Sequence, residues 1–124
     1  MLRGIPFFAP LPAPALERVM ADVTRSEAEP GTVVIREGDR GDRFFVIVEG
    51  EVAVTRGGAH LQDVGPGGYV GEIALLRDVP RTASVTAKTH VDLLALEREP
   101  FLLAVTGHPQ SHDAAREVAE ARSR

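Results

Sequence analysis

Gly71-Glu72-Ile73-Ala74-Leu75-Leu76-Arg77-Asp78-Val79-Pro80-Arg81-Thr82-Ala83-Ser84-Val85 is the stretch around which the rest of the chain is arranged. It reads as a site for a small anion. Gly71 carries no Cβ, so its backbone can approach a ligand closely. Glu72 to Leu76 has the composition of one short helical turn, and the N–H groups and partial positive charge at a helix start suit a phosphate. Pro80 ends that turn and fixes φ for the return into extended chain. Arg81 supplies a permanent cation with a planar fork of donors. Thr82 and Ser84 add hydroxyls, and strand alternation predicts that they share a face. Glu72 is an odd neighbour for a phosphate. It fits if it accepts hydrogen bonds from another part of the same ligand, such as sugar hydroxyls. Taken singly, a Glu after a Gly is a helix-start acid favoured by the dipole, and an Arg after a Pro is a solvated surface charge. Together, in this order and spacing, they are hard to explain as surface decoration.

This stretch resembles the phosphate-binding cassette of the cyclic nucleotide-binding domain family, through Gly71-Glu72-Ile73-Ala74-Leu75-Leu76 and then Pro80-Arg81-Thr82-Ala83-Ser84. The resemblance implies a binding site of Gly71, Glu72, Ile73, Ala74, Arg81, Thr82 and Ala83. In it Arg81 pairs with the cyclic phosphate, and Glu72 accepts from the ribose 2′-hydroxyl beside the Gly71 backbone. The N–H groups of Ala74 and Thr82 complete the cradle. One departure is visible: the position before Gly71, commonly aromatic in the family, is Val70. Thr82 directly after the Arg resembles members that accept cyclic GMP. Members with this Thr also bind cyclic AMP, and base rate alone favours cyclic AMP.

The chain has 124 residues, so one domain is expected over 1–124. Hydrophobic residues make up 44% and charged residues 26%, ordinary for a globular domain. No run of about 18 apolar residues is present to span a membrane, and the N-terminus lacks the apolar core and cleavage site of a signal peptide. There is no cysteine, which excludes thiol catalysis, disulfides and Cys-based zinc sites. The formal net charge is −4 and no Lys/Arg cluster appears, which argues against direct nucleic-acid binding. A cytoplasmic location is expected.

In chain order, residues 1–25 are a lead-in and a helix. Phe7 to Pro14 holds Pro10, Pro12 and Pro14, which forbid a regular helix and predict an extended, apolar segment. A helix follows from Pro14, with Leu16, Val19, Met20 and Val23 on one face packed against a sheet. Residues 26–97 read as short strands punctuated by glycines: Thr32–Arg36, then Arg43–Glu49, apolar on both faces, then one around Val52–Thr55. A Gly57-Gly58 hairpin leads to Leu61–Val64, and Ser84–Lys88 and Val91–Glu97 follow the cassette, residues 71–85. This pattern predicts a mainly β fold with flanking helices, an antiparallel sandwich or jelly roll. Residues 98–124 are two helical segments, the first ending at Gly107 with Pro109 as a stop, the second over Gln110–Arg122. Its apolar residues are small (Ala114, Ala115, Val118, Ala119, Ala121), so it is expected to be mobile or to need a partner. In the family the last helix acts as a lid, and Val118 or Arg122 is placed to cap the base.

Nothing points to catalysis. His60, His90, His108 and His112 show no H-x-H ligand spacing, and Pro109 separates His108 from His112, so no metal is expected. No G-x-S-x-G turn surrounds a serine, and no Walker-type loop exists. The expected function is that of a cyclic nucleotide sensor whose C-terminal helices change conformation on binding. Its effector would lie outside this chain, in a channel, transporter or other regulator, and a homodimer is possible. The lead-in resembles that of such domains fused behind bacterial membrane transporters. The alternative is a module of the same fold with an empty pocket, used for docking or dimerisation.

Overall fold

The computed structural model describes residues 2–122. Met1 and residues 123–124, the ends of the expected outer segments, lie outside the described residues. The described residues form eight strands and four α-helices in the order α1 (Ala13–Asp22), β1 (Thr24–Ala28), β2 (Val33–Ile35), β3 (Arg43–Glu49), β4 (Val52–Arg56), β5 (Ala59–Val64), β6 (Tyr69–Val70), α2 (Glu72–Arg77), β7 (Ser84–Ala87), β8 (Val91–Glu97), α3 (Arg98–Thr106) and α4 (Pro109–Arg122). The strands make two antiparallel sheets of four, ordered β1-β8-β3-β6 and β2-β7-β4-β5. This is the predicted sandwich with flanking helices.

The two-faced apolarity of β3 and β8 explains the layering. One face of these strands presents Phe45, Ile47, Leu93 and Ala95 to the second sheet, where they meet Ile35, Val52, Val54 and Val85. The other face presents Phe44, Val46 and Leu96 to the helices. There Phe7, Phe8, Phe44 and Phe101 gather, with the Phe44 and Phe101 rings stacked 4.9 Å apart and Phe7 edge-on to both. Such aromatic pairs add about 0.5–1.5 kcal/mol beyond their buried area.

Several expectations need correction. The lead-in is not extended: Phe8 and Ala9 both donate backbone hydrogen bonds to the Ile5 carbonyl, and Leu11 donates to Phe8. Proline forbids a continuous helix but not isolated turns, and these turns carry Phe7 and Phe8 into the core. On α1, Leu16 and Val19 are buried but Met20 is 58% exposed, because the helix touches α3 and β8 along a narrow stripe and ends at Asp22. The boundary expected at 25/26 cuts through β1, a polar edge strand (T-R-S-E-A) with no apolar alternation, held by pairing to β8. Pro109 does not stop a helix. It is the first residue of α4, and the His112 N–H donates to the His108 carbonyl across it, since a proline at a helix start removes no needed donor.

Candidate functional site

The site begins with the capping of α2. Gly71 adopts a left-handed conformation, φ 97°, and hands the chain directly into the helix. A Cβ at this position would stand 2.9 Å from Arg81 Nη1 and 3.0 Å from the Arg43 carbonyl oxygen. The glycine therefore makes room for Arg81, which the sequence reading did not foresee. At the other end Asp78, also left-handed at φ 51°, closes the helix. Its carboxylate accepts from Arg98 Nη2 at 2.8 Å.

Arg81 is 6% exposed and held on every side. Its Nη1 donates to the Gly71 carbonyl at 3.0 Å and its Nη2 to the Arg43 carbonyl at 2.6 Å. Asp42 lies 3.9 Å from Nη2. The Arg81 backbone N–H donates to the Asp39 carbonyl, and the Arg81 carbonyl accepts from the Gly38 N–H. A guanidinium has five N–H donors, so two fixed bonds orient the fork and leave donors for an anion. Burial lowers its affinity for the proton, and Asp42 and Glu72 oppose that effect. Gly41 packs against the same group: a Cβ there would lie 2.7 Å from the Ala74 Cβ and 3.4 Å from Arg81 Cζ.

Glu72 is 1% exposed. Burial pushes its carboxyl above the ordinary carboxylate value, while Arg122 and the N–H groups of Glu72 and Ile73 pull it back down. Arg122 comes from the last turn of α4. Its Nη1 donates to Glu72 Oε1 and, at 2.8 Å, to the Tyr69 carbonyl, and its guanidinium lies 4.2 Å from the Tyr69 ring centroid. Tyr69 thus places a ring beside the position where Val70 departs from the aromatic pattern. Of the two candidates for a lid residue, Arg122 reaches the site. Val118 instead packs against the aromatic cluster.

Thr82 and Ser84 do not share a role, because β7 starts only at Ser84. The Thr82 carbonyl accepts from Arg56 Nε at 3.0 Å. The Ser84 hydroxyl accepts from the Glu37 N–H at 2.9 Å, and Glu37 Oε1 accepts from the Gly57 N–H at the hairpin tip. These bonds fasten the β4–β5 hairpin over the cassette.

All seven expected site residues, Gly71, Glu72, Ile73, Ala74, Arg81, Thr82 and Ala83, line one cleft. It holds about 530 Å³ of empty space, its open mouth included. The sequence reading missed the wall opposite them: Ile35, Val54, Arg56, Leu61, Gln62 and Val85. These come from strands whose alternation was visible but whose distance from the cassette was not. The cleft therefore has a buried cation and a buried carboxylate from the cassette, and a second set of lining residues in which the apolar Ile35, Val54, Leu61 and Val85 are joined by Arg56 and Gln62. That arrangement suits a ligand with an anionic group, a polar middle and a flat apolar end.

The comparisons with known proteins agree with this chemistry. The family model described as "Cyclic nucleotide-binding domain" matches residues 25–108. The chain is 37% identical over 102 residues to a cAMP-dependent protein kinase regulatory subunit of Yarrowia lipolytica, covering 81% of this chain and 27% of that protein. It is 32% identical over 119 residues to the cyclic nucleotide-gated potassium channel mll3241 of Mesorhizobium japonicum, covering 96% of this chain and 33% of the channel. The regulatory domain of Toxoplasma gondii PKA, solved as a co-crystal with cAMP, superposes with a TM-score of 0.83 at 32% identity, over 93% of this chain and 44% of that one. The chain thus spans about a quarter to a third of the length of these two relatives. With more than half of its length matched by the family model and with the sandwich and cassette in place, this chain belongs to the cyclic nucleotide-binding domain family.

Proposed function

We propose that the chain is a non-catalytic regulatory unit that binds a cyclic nucleotide through the seven cassette residues and passes the event to a larger protein through α3 and α4. The observation that carries this reading is the convergence of buried Arg81 and buried Glu72 on one cleft. Arg81 takes the cyclic phosphate, with the N–H groups of Ala74 and Thr82. Glu72 accepts from the ribose 2′-hydroxyl, and the base lies toward Val54, Leu61 and Val85. The relatives named for cAMP support cyclic AMP as the first ligand to test, with cyclic GMP as its comparator because of Thr82.

Transmission rests on two contacts. Glu72 already holds Arg122, so a ribose hydroxyl arriving at the same carboxylate changes what α4 is tied to. The strand-to-helix junction at Arg98 is fastened to the loop that cradles Arg81: the Arg98 N–H donates to the Asp42 carbonyl at 2.9 Å, and its side chain reaches Asp78. A ligand shifts such an equilibrium only by its difference in affinity for the two arrangements. No helix of the described residues is long and apolar enough to cross a membrane; a cytoplasmic location is part of the proposal. The effector is a kinase-type or channel-type partner, as the relatives' names suggest.

Calorimetric titration with cyclic AMP and cyclic GMP tests the proposal. The expected result is micromolar binding, about −8 kcal/mol, lost in Arg81→Ala and severely weakened in Arg81→Lys, since a lysine cannot hold two carbonyls and an anion in one plane. Absence of binding to a folded sample overturns it in favour of a docking module with an unused pocket.

A further inference from the structure

Away from the cleft, the turn after β7 carries His90 into a group of three carboxylates on β1, the segment after it, and β8. Register pairs Glu27 directly with Asp92 across the two strands. Like charges so opposed are destabilising, and here no Lys or Arg among the described residues pairs with either one, nor with Glu29. Lys88 is committed to Glu51 and Asp63, at 3.1 and 2.8 Å. Arg25 lines a surface hollow with Ser26, Glu27 and Asp92 but makes no ion pair with the described residues. What the carboxylates share is one imidazole. His90 Nδ1 faces Glu29 Oε1 at 3.1 Å, and Nε2 faces Glu27 Oε1 at 3.2 Å and Asp92 Oδ1 at 3.5 Å.

This is the layout of a histidine ligand with its supporting carboxylate. A metal-bound imidazole characteristically gives its second ring N–H to a carboxylate, which fixes the tautomer and aims the free nitrogen. Glu29 stands in that place, and the Nε2 side opens onto two further oxygen ligands. The candidate ligand atoms of Glu27, His90 and Asp92 all lie within 4.8 Å of one another. Rotation of the exposed Glu27 and half-exposed His90 side chains toward Asp92 would bring the three to the spacing that bonds of about 2.0–2.2 Å require. One nitrogen and two carboxylate oxygens, with open positions for water, match a borderline cation such as zinc better than magnesium or calcium, which prefer oxygen alone.

We infer that Glu27, His90 and Asp92 form a surface site for a zinc-type divalent cation, bridging β1 to β8, with Glu29 as the residue that positions the imidazole. The sequence reading expected no metal because the four histidines lack local ligand spacing; the contact of Glu27 with His90 spans 63 positions and leaves no local pattern. The site is separate from the nucleotide cleft. A proton competes for the same nitrogen. Zinc binding is therefore expected to weaken steeply as the solution becomes acidic.

The test is titration of the tag-free full chain with zinc chloride near neutral pH, read by calorimetry and by the imidazole NMR signals of all four histidines. The expected result is one equivalent bound, with the His90 signals moving first. Affinity should fall about tenfold or more in His90→Gln and in Glu27→Gln, and remain unchanged in His60→Gln and His112→Gln. Glu29→Gln should weaken binding less and shift its pH midpoint. Three results overturn the inference: no saturable binding below millimolar zinc, equal binding of magnesium, or loss of binding in His112→Gln with retention in His90→Gln. His90 is 47% exposed at its side chain, so its substitution leaves the fold intact and a loss of binding is a loss of ligand.

Discussion

Arg122 on the last turn of α4 donates to the carboxylate of Glu72 on the first turn of α2, so one ion pair joins the C-terminal helix to the floor of the cleft. The pair is one-sided in burial: the Glu72 side chain is 2% exposed and that of Arg122 is 25% exposed. Removing Arg122 leaves a buried carboxylate without its main cation. Arg122→Ala is expected to lower stability in urea by about 1–3 kcal/mol. Hydrogen exchange in the last turn of α4 should differ between the free and nucleotide-bound protein, and the difference should vanish in the variant. An unchanged exchange pattern in the parent protein would sink the role given to this pair.

Glu72 also sets a pH dependence. Its folded-state proton affinity is raised, chiefly by burial. A carboxyl raised in this way costs folding stability as pH climbs from the ordinary carboxylate range to the folded midpoint, and nothing further above it. Titration by carboxyl NMR should therefore place Glu72 above the exposed glutamates, and Arg122→Ala should move it higher still. Glu72→Gln should remove the corresponding slope from the stability curve. A Glu72 that titrates with the surface glutamates contradicts the burial argument.

His90 gives the opposite sign. Its proton affinity is raised by Glu29 and Glu27, so the stability it lends is complete below its unfolded-state value and fades as pH rises through the higher folded-state value. The gap in melting temperature between the parent and His90→Gln should widen on acidification in metal-free buffer. A constant gap would mean that the imidazole is not coupled to these carboxylates in solution.

Gly71→Ala is expected to destabilise by roughly 1–3 kcal/mol, because φ 97° is strained for any residue with a side chain and because the new methyl would meet the Arg81 guanidinium and the Arg43 carbonyl. Nucleotide affinity should fall with it, since Arg81 must shift. Leu103→Ala, at 70% exposure, should stay within about 0.5 kcal/mol. Phe44→Ala should cost about 3–5 kcal/mol, since the ring sits among Phe7, Phe8 and Phe101. Chemical denaturation of the three variants checks the ranking.

How much of this was legible in the chain depends on the range of the signal. Strands β3 and β8 were plain, because R-F-F-V-I-V-E and the Val91–Glu97 run are apolar on both faces and short. The cassette was plain because its glycine, proline and charges lie within fifteen residues. Strand β1 was not: T-R-S-E-A has no hydrophobic period, and only backbone pairing with β8 makes it a strand. Met20 fitted the helical stripe, but its exposure depended on how much of α1 meets α3. The bond between Arg122 and Glu72 spans 50 positions, and the second sheet's wall of the cleft is set by tertiary packing. Neither leaves any local pattern to read.

The order of the first sheet has a consequence for how the chain is made. Strand β8 lies between β1 and β3, so until residues 91–97 have left the ribosome β1 has no strand partner and β3 is paired on one edge only, with the two residues of β6. The long edge of β3, which carries Phe44 and Phe45, stays open until then. Domains typically fold as units during synthesis, and transiently exposed apolar strands are their aggregation hazard. Non-local pairing of this kind is also slow, because the loop must close before the contact rewards it. Chains released before β8 is complete are therefore expected to be targets for chaperones and proteases, whereas those that reach α3 can collapse around Phe101 almost at once.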